Sequence, residues 1–219
     1  MLSIVQAAGW PVWFLLLASF LAVALIIERA LSLRRRRIIP EHLLDEVLAL
    51  HRNRQITPEM VQKLEANSPL GRVLATGLRH AAEGRDMMKE AMEETGRAVA
   101  HDLERYLSAL GTIATVTPLL GLFGTVVGMI EIFGAQAPSG SNPQALAHGI
   151  SVALYNTALG LVVAIPALIA YRGYRARVDS FVVELEQQSL RLVDALDPRR
   201  ATSTARSTPT SAPAAAPAR

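Results

Sequence analysis

TPLLGLFGTVVGMI, residues 117–130, is apolar enough to lie in a membrane, yet it carries Thr117, Gly121, Gly124, Thr125 and Gly128. A helix that only had to dissolve in lipid would carry leucine and valine at those places. Positions 117, 121, 124 and 128 recur at the three- and four-residue steps of one helix face, with Thr125 beside them. Such a ridge lets a second backbone come close. In lipid, where no hydrophobic force drives helices together, close approach is what holds them.

Working outward, Asp, Glu, Lys and Arg are absent from Met1 to Ile27, from Tyr106 to Ile130 and from Ile132 to Tyr171. A bilayer crossing takes roughly 20 apolar residues. The first two of these blocks each hold one crossing. The third splits at APSGSNPQ, a turn cluster. The expectation is an all-α membrane protein with three transmembrane helices near 10–31, 108–133 and 148–171. The composition agrees, with 51% hydrophobic and 19% charged residues. A cleaved signal peptide is a poor reading of the first block, which lacks a basic start and an A-x-A site before its charges.

Arginines mark the inner side of spans. Arg29 and Arg34 to Arg37 follow the first span, and Arg172, Arg175 and Arg177 follow the third. The stretches 1–9 and 134–148 have no Lys or Arg. This places the N-terminus outside, a helical region 34–106 inside, a short outer loop at 135–147 and the C-terminus inside. The net charge of +3 belongs to these flanks, without the aromatic–basic interleaving of a nucleic-acid surface. There is no cysteine, so disulfides and thiolate metal sites are excluded.

Between the spans the chain reads as helices. EHLLDEVLALHRNR (41–54) has helical periodicity, and Thr57-Pro58 and Ser68-Pro69 each pair an N-cap with proline at the first helical position. Asp86 is expected to cap a helix running without a stop from 86 to 133, about 70 Å long. Met92, Val99, Leu103 and Tyr106 form a stripe on its inner part. Val178, Val182, Leu185, Leu192 and Leu196 form another after the third span, interrupted by Ser189. Spans two and three therefore extend into long cytoplasmic helices, the second over 173–197, that pack together. The tail 198–219 cannot bury a core and reads as disordered.

The third span has its own small face: Gly149, Ala153, Thr157, Gly160, Ala164 and Ala167. Two such faces predict close packing of spans two and three, within or between subunits. Ser151, Tyr155, Asn156 and Thr157 cluster in the same span, and an amide in hydrocarbon requires a helix contact or a wet path. Pro118 and Pro166 are expected to kink their spans. Glu28, Glu131 and His148 fall at span ends and read as interfacial. No nucleophile–base pair, phosphate loop or metal cluster is visible, so neither an enzyme nor a cofactor is expected.

TPLLGLFGTVVGMI (117–130) and HGISVALYNTALGLVVAIPALIAYR (148–172) together resemble the MotA/TolQ/ExbB proton-channel family, over 107–175. Three spans with a large loop after the first are similar to its ExbB-like and TolQ-like members, and the start AAGWPVWFLLLASFLAVALIIERALSLRRRR leans toward the ExbB-like ones. The resemblance implies a homopentamer in the inner membrane around a single-span ExbD-like or TolR-like partner, whose membrane aspartate carries the proton. TonB-type outer-membrane transport is the implied client, possible contact with a TonB-like protein included. It also implies that Thr125 and Thr157 line the pore, and Asn156 and Ser151 join them as polar candidates. Gly121, Gly124, Gly128 and Gly160 are then the packing wall, with lipid outside. Where many relatives have glutamate in a GIAEAL stretch, this chain has Val152, and Tyr155-Asn156 replace small apolar residues. A non-conducting scaffold is the alternative from another class. A substrate transporter is disfavoured, since no inverted repeat or central charge is present.

Overall fold

The computed structural model describes residues 10–134 and 143–197, so the N-terminal end, most of the outer loop and the tail read as disordered lie outside the described residues. The side chains of His148 and Val152 also lie outside them. Among the described residues there are eight helices: α1 (Val12–Ser32), α2 (Arg35–Ile38), α3 (Leu43–Arg52), α4 (Pro58–Asn67), α5 (Pro69–Arg79), α6 (Arg85–Glu104), α7 (Leu107–Gly134) and α8 (Pro143–Leu196). Three helical stretches are long and apolar enough to cross a membrane: Val12–Ser32, Arg85–Gly134 and Gly149–Leu196. The chain divides into two compact units, residues 1–34 with 100–180, and 35–99 with 181–219.

In the first unit α1 packs on α7. The buried positions of α7 are Leu107, Leu110, Ala114, Thr117, Gly121 and Gly124, an unbroken alternation of three- and four-residue steps. Those of α8 also recur at steps of three or four through Ala153, Asn156, Gly160, Ala164 and Ala167. The large apolar side chains point the other way. Phe20, Leu119, Leu154, Val162 and Ile169 are all more than 60% exposed. Small residues inside and large ones outside invert the pattern of a water-soluble bundle and suit a lipid solvent. Pro118 and Pro166 lie inside helices whose assignment continues through them.

The long helix expected over 86–133 is broken. α6 ends at Glu104, and Tyr106 takes a left-handed φ of 64° before α7 begins. No glycine or proline marks the spot. A non-glycine residue in this conformation costs roughly 1–2 kcal/mol, and the neighbourhood compensates. The Arg29 guanidinium donates to the Leu103 carbonyl at 3.2 Å, one of the groups freed by the break. It also binds the Glu28 carboxylate through Nη2 at 2.7 Å. Arg29 and Arg105 lie 5.2 and 4.8 Å from the centre of the Tyr106 ring, within cation–π range. Tyr106, expected on a buried stripe, is instead 41% exposed.

In the second unit the caps form where the Thr-Pro and Ser-Pro pairs place them. Thr57 Oγ1 accepts from the Met60 amide at 3.4 Å, and Ser68 Oγ from the Gly71 amide at 3.0 Å. Gly71 presses on the Leu64 carbonyl, which leaves no room for a side chain in the tight α4–α5 turn. The expected cap at Asp86 does not form there, because helix α6 starts one residue earlier, after Gly84 at φ 107°. Asp86 sits in the first turn, where its charge still suits the helix dipole. Of the expected stripes, Met92, Val99, Leu185 and Leu192 are buried, joined by Met88 and Val193, while Val182 and Leu196 are only partly covered. Met92 of α6 and Leu192 of α8 both close on Gly77 of α5. Arg85 bridges α6 to Asp194 at 2.9 Å and Asp197 at 2.8 Å.

Candidate functional site

The tightest packing in the first unit lies between the small faces of α7 and α8. A Cβ on Gly121 would stand 2.8 Å from the Asn156 carbonyl oxygen and 3.1 Å from the Thr157 Cα. A Cβ on Gly160 would stand 2.9 Å from the Thr117 carbonyl oxygen and 3.2 Å from the Gly121 Cα. The two contacts mirror each other. Each helix presents a glycine to a carbonyl of its partner, and that carbonyl belongs to the residue one turn before the partner's own glycine. Real Cβ atoms do not come so near to backbone, so both positions require glycine on steric grounds. Backbones this close gain dispersion and Cα–H···O contact, the forces available to helices in lipid.

Gly124 extends the contact differently. Its open face receives the Asn156 side chain, whose Cγ and Nδ2 would lie 3.0 Å from an added Cβ. Asn156 is 1% exposed. The sequence grouped it with Thr125, Thr157 and Ser151 as a polar candidate for the ion path; the structure seats it within the α7–α8 contact. Its phase explains this, since 153, 156, 160, 164 and 167 fall on one helix face. Gly128 meets Ala153 at an ordinary 3.4 Å, and Gly149 faces Ile132.

The hydroxyls occupy three environments. Thr125 is partly exposed and its Oγ1 donates to the Leu122 carbonyl at 2.6 Å. It lines a shallow groove of about 620 Å³ with Val126, Met129 and Phe133 among the walls. Ser151 is exposed and donates to the Ala147 carbonyl at 2.9 Å. Thr157 is half-buried, with its Cα against Gly121. Thr117, 1% exposed, donates to the Ile113 carbonyl. Thr125, Ser151 and Thr117 all use their protons on their own helix, which leaves the more open Thr125 and Ser151 with lone pairs that can accept from water or a hydrated proton. Within the charge-free blocks of α7 and α8 there is no Asp, Glu, Lys or Arg to hold a charge at depth. Glu131 is exposed near the end of α7.

Arg29 is the polar residue that sequence reading treated only as a flank. It is 4% exposed. The signal lay in its phase, because Val12, Leu15, Ala22 and Arg29 share one buried face of α1.

The model of the MotA/TolQ/ExbB proton channel family matches residues 65–187. A putative biopolymer transport protein ExbB-like 3 of Synechocystis is 35% identical over 163 residues, covering 72% of this chain and 77% of the relative. Biopolymer transport protein exbB1 of Vibrio cholerae is 32% identical over 188 residues, covering 83% of this chain and 82% of its own. The Tol-Pal system protein TolQ of Haemophilus influenzae is 44% identical over 81 residues, covering 36% of this chain and 35% of the relative.

Proposed function

Because the chain belongs to the MotA/TolQ/ExbB proton channel family, we infer that this multi-pass membrane protein is the wall subunit of an ion-driven motor in a bacterial inner membrane. Its copies surround a single-span ExbD-like partner, and the motor energises TonB-dependent transport across an outer membrane. The reciprocal glycine contact between α7 and α8 carries this reading. It makes the two spans one stiff, uncharged plate, suited to guiding a moving charged partner without binding it. Relatives over most of the chain's length that bear the ExbB name favour that role over a TolQ-like one.

Moving one charge across 100 mV is worth about 2.3 kcal/mol, so a motor needs a group that takes up and releases that charge within the membrane. A desolvated carboxylate does this. The charge-free blocks of α7 and α8 have none, so the titrating acid comes from the partner chain. Thr125 and Thr157 accept hydrogen bonds along the route.

The test is replacement of these hydroxyls. A hydrogen bond to a charged group is worth about 1.5–3 kcal/mol, so Thr157→Val or Thr125→Val lowers energised uptake in cells by about tenfold or more. The mass of the assembled complex stays unchanged. Uptake at the wild-type level in the double variant would remove these threonines from the path.

A further inference from the structure

A second polar feature lies in the first unit, away from the glycine contact. It is a cleft of about 480 Å³ between α7 and α8, lined by Glu104, Ser108, Thr112, Thr115, Tyr171 and Arg175 among others. Its position on both helices is informative. The charge-free run of α7 begins at Tyr106 and that of α8 ends at Tyr171, so the cleft straddles the level at which both helices pass from charged to uncharged sequence.

Its chemistry is equally ordered. Ser108, Thr112 and Thr115 lie one above another at helical spacing, all exposed. Thr112 Oγ1 donates to the Ser108 carbonyl at 2.9 Å, and Thr115 Oγ1 is 3.1 Å from the Gly111 carbonyl and 3.0 Å from that of Thr112. With their protons held by the helix, the threonine oxygens turn lone pairs outward. At the charged end, Arg175 Nη1 meets Glu104 Oε1 at 2.9 Å, and Arg175 Nε lies 3.5 Å from Asp179. Arg175 is thus shared between two carboxylates and is itself 46% exposed. A cavity of this size with several polar partners holds water.

We propose that this cleft is the water-filled inner mouth of the ion path, and that the Glu104–Arg175 pair sets the charge a proton meets there. The inference rests on the ion-driven reading above. Protons enter or leave along accepting oxygens of Thr115, Thr112 and Ser108, and Glu104 cancels the repulsion of Arg175 at the opening. Removing the carboxylate leaves a positive mouth, and removing the arginine leaves a negative one.

Both halves are testable in the assembled complex with its single-span partner, reconstituted in liposomes. The chain has no cysteine, so Thr112→Cys introduces its sole thiol. A small membrane-impermeant thiosulfonate should modify Thr112→Cys at least about tenfold faster than Leu119→Cys on the apolar surface, since apolar surroundings suppress the reactive thiolate. A bulky adduct should then lower proton flux below that of unmodified Thr112→Cys, which itself conducts no better than wild type. Glu104→Gln should lower flux about fivefold, the effect of one uncompensated charge about 4 Å away in water. Arg175→Gln should leave flux the same or higher. Equal labelling of the two cysteines, flux indifferent to the adduct, or equal loss in Glu104→Gln and Arg175→Gln would each overturn the inference. A wild-type complex that conducts nothing would overturn the ion-driven reading and the inference with it. A wild-type complex that conducts, with a Thr112→Cys form that does not label, overturns the inference alone.

Discussion

Gly160→Leu yields no assembled complex, and Gly160→Ala yields one destabilised by about 1–3 kcal/mol, the usual cost of overpacking a tight contact. The argument is steric. The new Cβ meets the Thr117 carbonyl oxygen at 2.9 Å and the Gly121 Cα at 3.2 Å, and both are backbone that cannot rotate away. The helices must separate, and the mirror contact of Gly121 on Asn156 opens with them. Gly124→Ala belongs with Gly160→Ala, because its nearest obstacle, the Asn156 Cβ at 2.9 Å, is not moved by any change of rotamer. Gly173 on the same helix has nothing within 4 Å of an added Cβ, so Gly173→Ala should be neutral or stabilising by up to about 1 kcal/mol through helix propensity. Thermal unfolding in detergent, read with the mass of the oligomer, checks the series. Equal melting of Gly160→Ala and Gly173→Ala would mean that the contact does not hold the spans together.

Arg29→Leu is the second large effect. Leucine fills much of the same space and suits the apolar face of α1, so burial alone predicts little harm. The loss lies in the hydrogen bonds. The Leu103 carbonyl, at a helix end broken by Tyr106, loses its charged donor. Such a bond is worth about 1.5–3 kcal/mol, and the left-handed Tyr106 loses a cation over its ring. Glu28 is 43% exposed, so its lost ion pair adds little. Arg29→Lys should recover only part of the stability, because an ammonium cannot reach the carboxylate and the carbonyl with a planar fork. The expected result is a melting temperature ordered wild type, Arg29→Lys, Arg29→Leu. An Arg29→Leu protein as stable as wild type would show that the break at Tyr106 stands without this anchor.

These two cases also mark what a sequence can reveal. The spans are legible because charge is missing in blocks, and lipid tolerates nothing else. The caps at Thr57 and Ser68 are legible because capping is local, settled by a hydroxyl and a proline beside it. The α7–α8 contact is visible in the spacing of Gly121, Gly124 and Gly160, although whether it joined spans of one chain or of two was not; within one chain both helices supply it. The break at Tyr106 is not legible. A tyrosine with left-handed φ carries no local signal, and its support comes from Arg29, far away in sequence. Asn156 was ambiguous for a related reason, since an amide in a membrane helix satisfies the same rule by facing a helix or a wet path. Its phase with Ala153 and Gly160 favoured the helix.

In the proposed motor this chain walls the ion path and another chain carries the charge. Proton flux into liposomes under an imposed pH gradient tests it most directly. The purified chain alone should pass protons no faster than protein-free liposomes. The complex with its single-span partner should conduct, and should stop when the partner's membrane carboxylate is made an amide. Robust flux through the chain alone, abolished by Glu131→Gln or His148→Ala, would contradict the account and place the acid in this protein.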